Sequence, residues 1–298
     1  MTPALKGLKQ GDIIGIIAPA SPVTDEEIQP AIKIIKQLGY SILEGDHLYD
    51  SKGYLAGSDE DRLNDLHEMF LNDNVKAVLC ARGGYGTPRL LDKVDYNLIK
   101  RKPKLFIGYS DITALLLAVL HKTGLAVWHG PMLRGKEGRE ENLKKLFDLL
   151  SSGGRINFTL NAGYVMKEGK ARGRLLGGNL SLISALLGTP FLPSFKNSIL
   201  FLEDRGESLY RIDRMLTQLR LSGALEGVRG VITGNFKDCG DAVEINKLIL
   251  DNTSQDVPVY TSFPAGHCKE NLPLPFGVEA ELNTESLVFN VDTFIGQD

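Results

Sequence analysis

The sequence predicts an α/β protein: an N-terminal Rossmann-like parallel sheet with flanking helices, followed by a β-rich C-terminal α/β domain. Three observations carry this. Over the first 150 residues, short β-branched runs alternate with longer stretches whose apolar residues recur every three or four positions, the pattern of βαβ units. A chain of 298 residues is long for one ordinary domain and fits two. Between 151 and 172 the composition turns to Gly, Ser, Asn and Lys without a strong period, and beyond it the texture changes.

Taken in order, Asp12–Ala20 reads as a buried strand. Thr24–Leu38 reads as a helix opened by a capping box of Thr24 with Glu27 and closed by Gly39. Tyr40–Gly45 is a short strand, Ser58–Asn72 a helix capped by Ser58, and Val75–Ala81 a strand. A further strand at Leu105–Tyr109 leads into an apolar helix, Ile112–Thr123, that ends at Gly124; Ala126–His129 is the fifth strand. Strands joined by helices should be parallel, with the working face at their C-terminal ends. The divisions that follow are a nucleophile-bearing domain over 1–150, a linker over 151–172 and a second domain over 173–298. In that second domain strands are expected at Ser198–Leu202, Gly230–Thr233 and Val257–Thr261, and helices at Leu180–Leu187, Ser208–Leu221 and Val243–Leu250. Gly277–Val291 alternates apolar and polar residues around Asn283–Glu285 and predicts a hairpin. A cleft between the domains is the expected site.

Composition narrows the function. Hydrophobic residues at 43%, charged at 24% and aromatic at 7% exclude a disordered or collagen-like chain. The longest unbroken apolar run, Ala114–Leu120, is far below the roughly 20 residues a spanning helix needs. The N-terminus lacks a signal peptide's apolar region, so the expected location is the cytoplasm, with no membrane partner. Lys plus Arg number 34 against 37 Asp plus Glu, and no basic block is present to follow a phosphate backbone, which argues against nucleic acid. Cys80, Cys239 and Cys268 lack the spacing of a disulfide framework or a structural zinc site. Cys268, directly after His267, is a weak candidate thiol nucleophile, since sequence neighbours seldom point at each other and free cysteines mostly fill cores.

Three segments break the rules of ordinary loops, each at the predicted C-terminal end of a strand. Arg82-Gly83-Gly84-Tyr85-Gly86 allows close backbone approach and positive φ, which suits an anion cradle or a tight strand-to-helix turn. It is neither a Walker loop nor a dinucleotide fingerprint. Gly108-Tyr109-Ser110-Asp111 puts a serine between a buried strand and an apolar helix, where it either exposes a hydroxyl above the sheet or caps the helix. The motif departs from G-x-S-x-G, since its fifth position is Ile112. Glu203, ending an apolar run, and His267, in the loop Pro264-Ala265-Gly266-His267, supply the acid and base of a nucleophilic hydrolase in the chain order Ser, acid, His. Against this stand the readings of Glu203 as an ion-pair partner of a nearby arginine and of His129 as the competing base.

Together these segments resemble the LD-carboxypeptidase family, serine peptidases that trim a terminal D-alanine from murein tetrapeptides. The resemblance runs over nearly the whole chain, through Ala18-Pro19-Ala20-Ser21, Ala81–Gly86, Gly108–Asp111, Trp128–Met132, Gly173–Leu180, Leu202–Glu207 and Pro264–His267. It implies Ser110 as nucleophile, Glu203 as acid and His267 as base, the amides of Gly84 and Asp111 as oxyanion hole, and no metal or cofactor. Arg82, Tyr85 and Arg205 are the expected substrate contacts, with either arginine able to hold the terminal carboxylate. It also implies a muropeptide substrate in peptidoglycan recycling and a homodimer. One alternative keeps the fold and triad but cleaves peptidyl or aminoacyl sulfamoyl adenylates, as in related microcin immunity proteins. That substrate needs an aromatic platform for its base, for which the stretch 151–172 offers only Phe158 and Tyr164. The other alternative is a non-catalytic protein that binds a phosphorylated or sugar ligand at the glycine loop, with Ser110 as a helix cap.

Overall fold

The computed structural model describes residues 5–135 and 138–296. Its elements are β1 (Leu5–Lys6), β2 (Ile13–Ile17), α1 (Asp25–Gln37), β3 (Ser41–Glu44), α2 (Asp59–Leu71), β4 (Val75–Cys80), α3 (Tyr96–Arg101), β5 (Leu105–Gly108), α4 (Ile112–Thr123), β6 (Val127–His129) and α5 (Arg139–Ser152). There follow β7 (Arg155–Thr159), β8 (Tyr164–Lys167), β9 (Lys170–Asn179), α6 (Leu180–Ala185), β10 (Ser198–Arg205), α7 (Leu209–Leu221), β11 (Gly230–Lys237), α8 (Ala242–Asp251) and β12 (Val259–Thr261). The chain ends with β13 (Leu274–Phe276), β14 (Glu279–Asn283), β15 (Val288–Asp292) and β16 (Ile295–Gly296).

Two sheets carry the architecture, as the α/β reading expects. The first is six-stranded in the order β13, β6, β5, β4, β2, β3, and its strands from the first half of the chain are all parallel. The second is eight-stranded in the order β7, β15, β14, β9, β10, β11, β12, β8. Its centre, β9 to β12, is parallel, and antiparallel strands close both sides. The expected hairpin is β14 with β15. Local signals mark the helix starts as read: Thr24 N donates to Glu27 Oε2 at 3.3 Å, and Ser58 and Asp61 exchange bonds of 2.8 and 3.1 Å.

Helix α4 explains how the halves hold together. Every residue from Ile112 to Leu120 is buried, because the helix lies against β5 and β6 on one side and against β9 and α6 on another. A helix apolar all round belongs in such an interior. Burying each of its leucines contributes roughly 1.5–3 kcal/mol before the entropy cost of ordering the chain. Buried apolar residues of both halves form one connected core.

Two expectations need correction. The stretch 151–172 is not an irregular linker: β7 and β8 pair into opposite edges of the second sheet, and β9 begins at Lys170. Their partners are the remote strands β15 and β12, so no local period announced them. The division between halves is also not clean, since β13, from the second half, pairs antiparallel with β6 and covers the edge of the first sheet. That pairing removes an open strand edge.

Candidate active site

The C-terminal ends of the parallel strands of both sheets meet at one cleft of about 950 Å³. From the first sheet, the glycine loop leaves β4 and the turn with Ser110 leaves its neighbour β5. From the second, β9 ends at Asn179, β10 carries Glu203, and the His267 loop follows β12. Ser110, His267, Gly84, Asp111, Arg82, Tyr85 and Arg205 all line this cleft, while Glu203 is fully buried behind His267.

Ser110 occupies a strained turn. Its φ is +64°, one of few positive values outside glycine in the described chain. Such a conformation costs of order 1–3 kcal/mol and persists only when the surroundings enforce it. They do: Thr87 N donates to Asp111 Oδ2 at 2.8 Å and Thr87 Oγ1 to the Asp111 carbonyl at 2.6 Å, clamping the glycine loop onto the serine turn. Gly83 is needed for that approach, since a Cβ there would lie 2.9 Å from Ser110 Cβ and 3.1 Å from its Oγ. The helix-cap reading of Ser110 is set aside: Asp111 occupies the N-cap position of α4, and the Ser110 hydroxyl has no hydrogen-bond partner among the described residues. The amides of Gly84 and Asp111 donate to no protein acceptor among the described residues.

His267 Nδ1 lies 2.6 Å from Glu203 Oε2, and the His267 backbone N–H donates to the same oxygen at 3.1 Å. An ionised carboxylate only accepts, so Nδ1 carries a proton and Nε2 is the ring nitrogen not engaged by Glu203. Burial alone would raise the Glu203 carboxyl. Burial is the largest single influence, but the hydrogen bond and charge of His267, with His129 and Asn179 adding to them, together outweigh it and hold the carboxyl below its ordinary value, so it stays ionised. Glu203 is thus not an arginine's partner. Asn179 Nδ2 bridges Glu203 at 3.3 Å and Asp204 at 2.9 Å, and its Oδ1 accepts from Leu182 N at the start of α6.

His129 is no base. It is fully buried among Tyr109, Phe201 and Phe276, neither ring nitrogen has a protein partner among the described residues, and burial pulls it down to about 4. Instead it backs Tyr109, whose other contact is the His267 ring at 5.0 Å. Nor is Cys268 a nucleophile: burial pushes its thiol up to about 11, and Sγ points to the Glu270 carbonyl at 2.8 Å.

Arg82 is held on the Ser110 side by the Pro22 carbonyl, 2.7 Å from Nη1. Arg205 is exposed, with Nε 3.5 Å from Asp238. Tyr85 is half exposed and stands edge-on to Tyr54 at 5.5 Å. Several residues the sequence reading passed over support the site. Arg62, 1% exposed, donates to the carbonyls of Pro19 and Gly86 at 2.6 and 3.1 Å, joining the loops after β2 and β4. Ser21 accepts from Tyr85 N at 3.1 Å. Arg139, at the start of α5, lines the same cavity as His267; the spacing Leu143, Leu146, Phe147, Leu150 could have revealed this helix. Among the described residues, one group of three carboxylate and histidine side chains is close enough to share a metal: His47, Asp50 and Asp61. None of the three lines this cleft.

Residues 14–130 match the family model for the LD-carboxypeptidase N-terminal domain, and residues 172–282 match that for the LD-carboxypeptidase C-terminal domain. The chain is 40% identical to the probable murein peptide carboxypeptidase of Bacillus subtilis over 94% of its own length and 91% of that protein. It is similar to the crystal structure of muramoyltetrapeptide carboxypeptidase from Oxalobacter formigenes, with a TM-score of 0.83, 30% identity, and 95% and 100% of the two chains covered. It also shares its fold with MccF in complex with glutamyl sulfamoyl guanosine, with a TM-score of 0.90, 24% identity, and 98% and 99% covered.

Proposed function

The chain belongs to the LD-carboxypeptidase family, and on that basis we propose that it is a serine carboxypeptidase cleaving the L,D-peptide bond to the terminal D-alanine of murein tetrapeptides. The observation that carries the reading is the His267–Glu203 bond of 2.6 Å behind a cleft into which a strained Ser110 turn also opens.

In this mechanism Ser110 Oγ attacks the scissile carbonyl as its proton passes to His267 Nε2. Glu203 orients the ring and balances the imidazolium charge. The oxyanion forms against the amides of Gly84 and Asp111; losing one such donor typically costs about 10² to 10³ in turnover. Collapse of the adduct breaks the C–N bond, and His267 returns its proton to the amine of D-alanine. Water activated by the same imidazole then attacks the acyl-enzyme and restores Ser110.

The setting proposed is cytoplasmic murein recycling by a homodimer. No helix among the described residues is long and apolar enough to cross a membrane. For the sulfamoyl adenylate alternative, neither candidate for a base platform meets the cleft: Phe158 packs on Phe263 and Phe289, and Tyr164 is exposed on β8. Incubating the protein with a defined tetrapeptide and, in parallel, an aminoacyl sulfamoyl adenylate should release D-alanine from the first and leave the second essentially intact. Turnover of the adenylate alone would overturn the substrate assignment, and turnover of neither would overturn the hydrolase.

A further inference from the structure

We propose that the polar cavity beyond His267 is the subsite for the carboxylate of the leaving residue, with Arg139 as its main ligand; this rests on the hydrolase reading above. The cavity, about 290 Å³, shares Tyr109, Met132, Arg134, Gly135, Arg205 and His267 with the catalytic cleft but is not lined by Ser110. In a peptide cleaved one residue from its end, the terminal carboxylate carbon is two covalent bonds from the nitrogen that His267 protonates. A site for that carboxylate must therefore border His267, as this cavity does.

Its walls are cationic. Arg134, Arg139, Arg205 and Lys237 line it, and among the described residues no aspartate or glutamate does. Two of these cations are already engaged: Arg134 Nε bonds Glu27 at 2.8 Å, and Arg205 Nε faces Asp238 at 3.5 Å. Arg139 has no acidic partner among the described residues, and its Nε is buried without an acceptor. A buried guanidinium donor left unmatched is costly, and a carboxylate satisfies it through paired N–H bonds. Arg82, the other arginine considered, lines only the Ser110 side and already gives Nη1 to Pro22.

The cavity is also braced. Asn142, one turn along α5 from Arg139, donates from Nδ2 to the Lys269 carbonyl at 2.8 Å and accepts from Asn271 N at 3.1 Å. Lys145 pairs with Glu270. The first two turns of α5 are thereby fastened to the loop bearing His267, which fixes the guanidinium relative to the general acid. Positioning of that kind is what a preorganised subsite needs.

The test compares a tetrapeptide ending in D-alanine with the same peptide ending in D-alaninamide, on the full chain and on Arg139→Gln and Arg139→Lys, reading kcat/KM for each. The wild type should prefer the acid by about 10²-fold, the scale set by leaving a buried charged donor unpaired. Arg139→Gln should reduce that preference to within a few-fold, and Arg139→Lys should restore part of it. An Arg139→Gln enzyme that keeps the wild-type preference, whether its overall rate is intact or lowered, overturns the subsite. A wild type that cleaves acid and amide equally overturns it as well. A wild type that cleaves neither peptide overturns the hydrolase reading itself, and the subsite with it.

Discussion

At position 266 a side chain would place its Cβ 2.6 Å from Glu203 Oε2, and φ there is +90°. The glycine before the histidine is thus what lets the carboxylate reach Nδ1 and the backbone N–H of residue 267 together. Gly266→Ala should lower kcat/KM about 10²-fold by displacing Glu203, and reduce stability by about 1–3 kcal/mol from backbone strain; activity assays and thermal melts read the two effects. Unchanged turnover would show that the carboxylate's position does not matter. As candidates, Ser110, Glu203 and His267 were legible in the sequence because each stands where an apolar run gives way to a loop rich in Gly, Pro or charge. Arg62, Asn179 and Arg139 were not, since their roles are set by carbonyls and cavities contributed by remote segments. His129 looked as eligible as His267 by residue type. Burial among three aromatic rings, visible only in three dimensions, separates them.

Among the elements, α2 packs Asp65 against the exit of β3, where His47 N donates to both carboxylate oxygens at 3.2 Å. Burial pushes this carboxyl up to about 6 despite those bonds. The folded chain therefore binds its proton more tightly than the unfolded chain, so the contribution is fully present below the ordinary carboxylate range and is lost as pH rises through about 6. Asp65→Asn keeps an acceptor for His47 and cannot ionise. Its thermal midpoint relative to wild type should rise between pH 4 and pH 7, and a difference constant over that range would contradict the assignment. Elements with a local signal were readable: the capped helices, the parallel strands of the first half and the C-terminal hairpin. Strand β10 runs further than its apolar stretch because Glu203 and Asp204 stay in the strand, buried with partners. Strands β7, β8 and β13 exist through pairing with distant segments, a contact that no period along the chain encodes.

Across the whole molecule, the parallel strands of two sheets face their C-terminal ends into one cleft, so the proposed nucleophile and base come from opposite halves that share a common core. Helix α4 locks the arrangement by starting at the serine turn and running between the halves. This explains why the site cannot belong to either half alone, and why the family resemblance had to extend over the full length to be informative. The central claim is that Ser110 is the atom donor for a covalent intermediate activated by His267. Treatment with a serine-directed phosphonate, followed by intact and peptide mass spectrometry, tests it most directly. The wild type should carry one adduct, on Ser110, and His267→Ala should label at least about 10³-fold more slowly. An adduct on another residue, or equal labelling of the two proteins, would contradict the account.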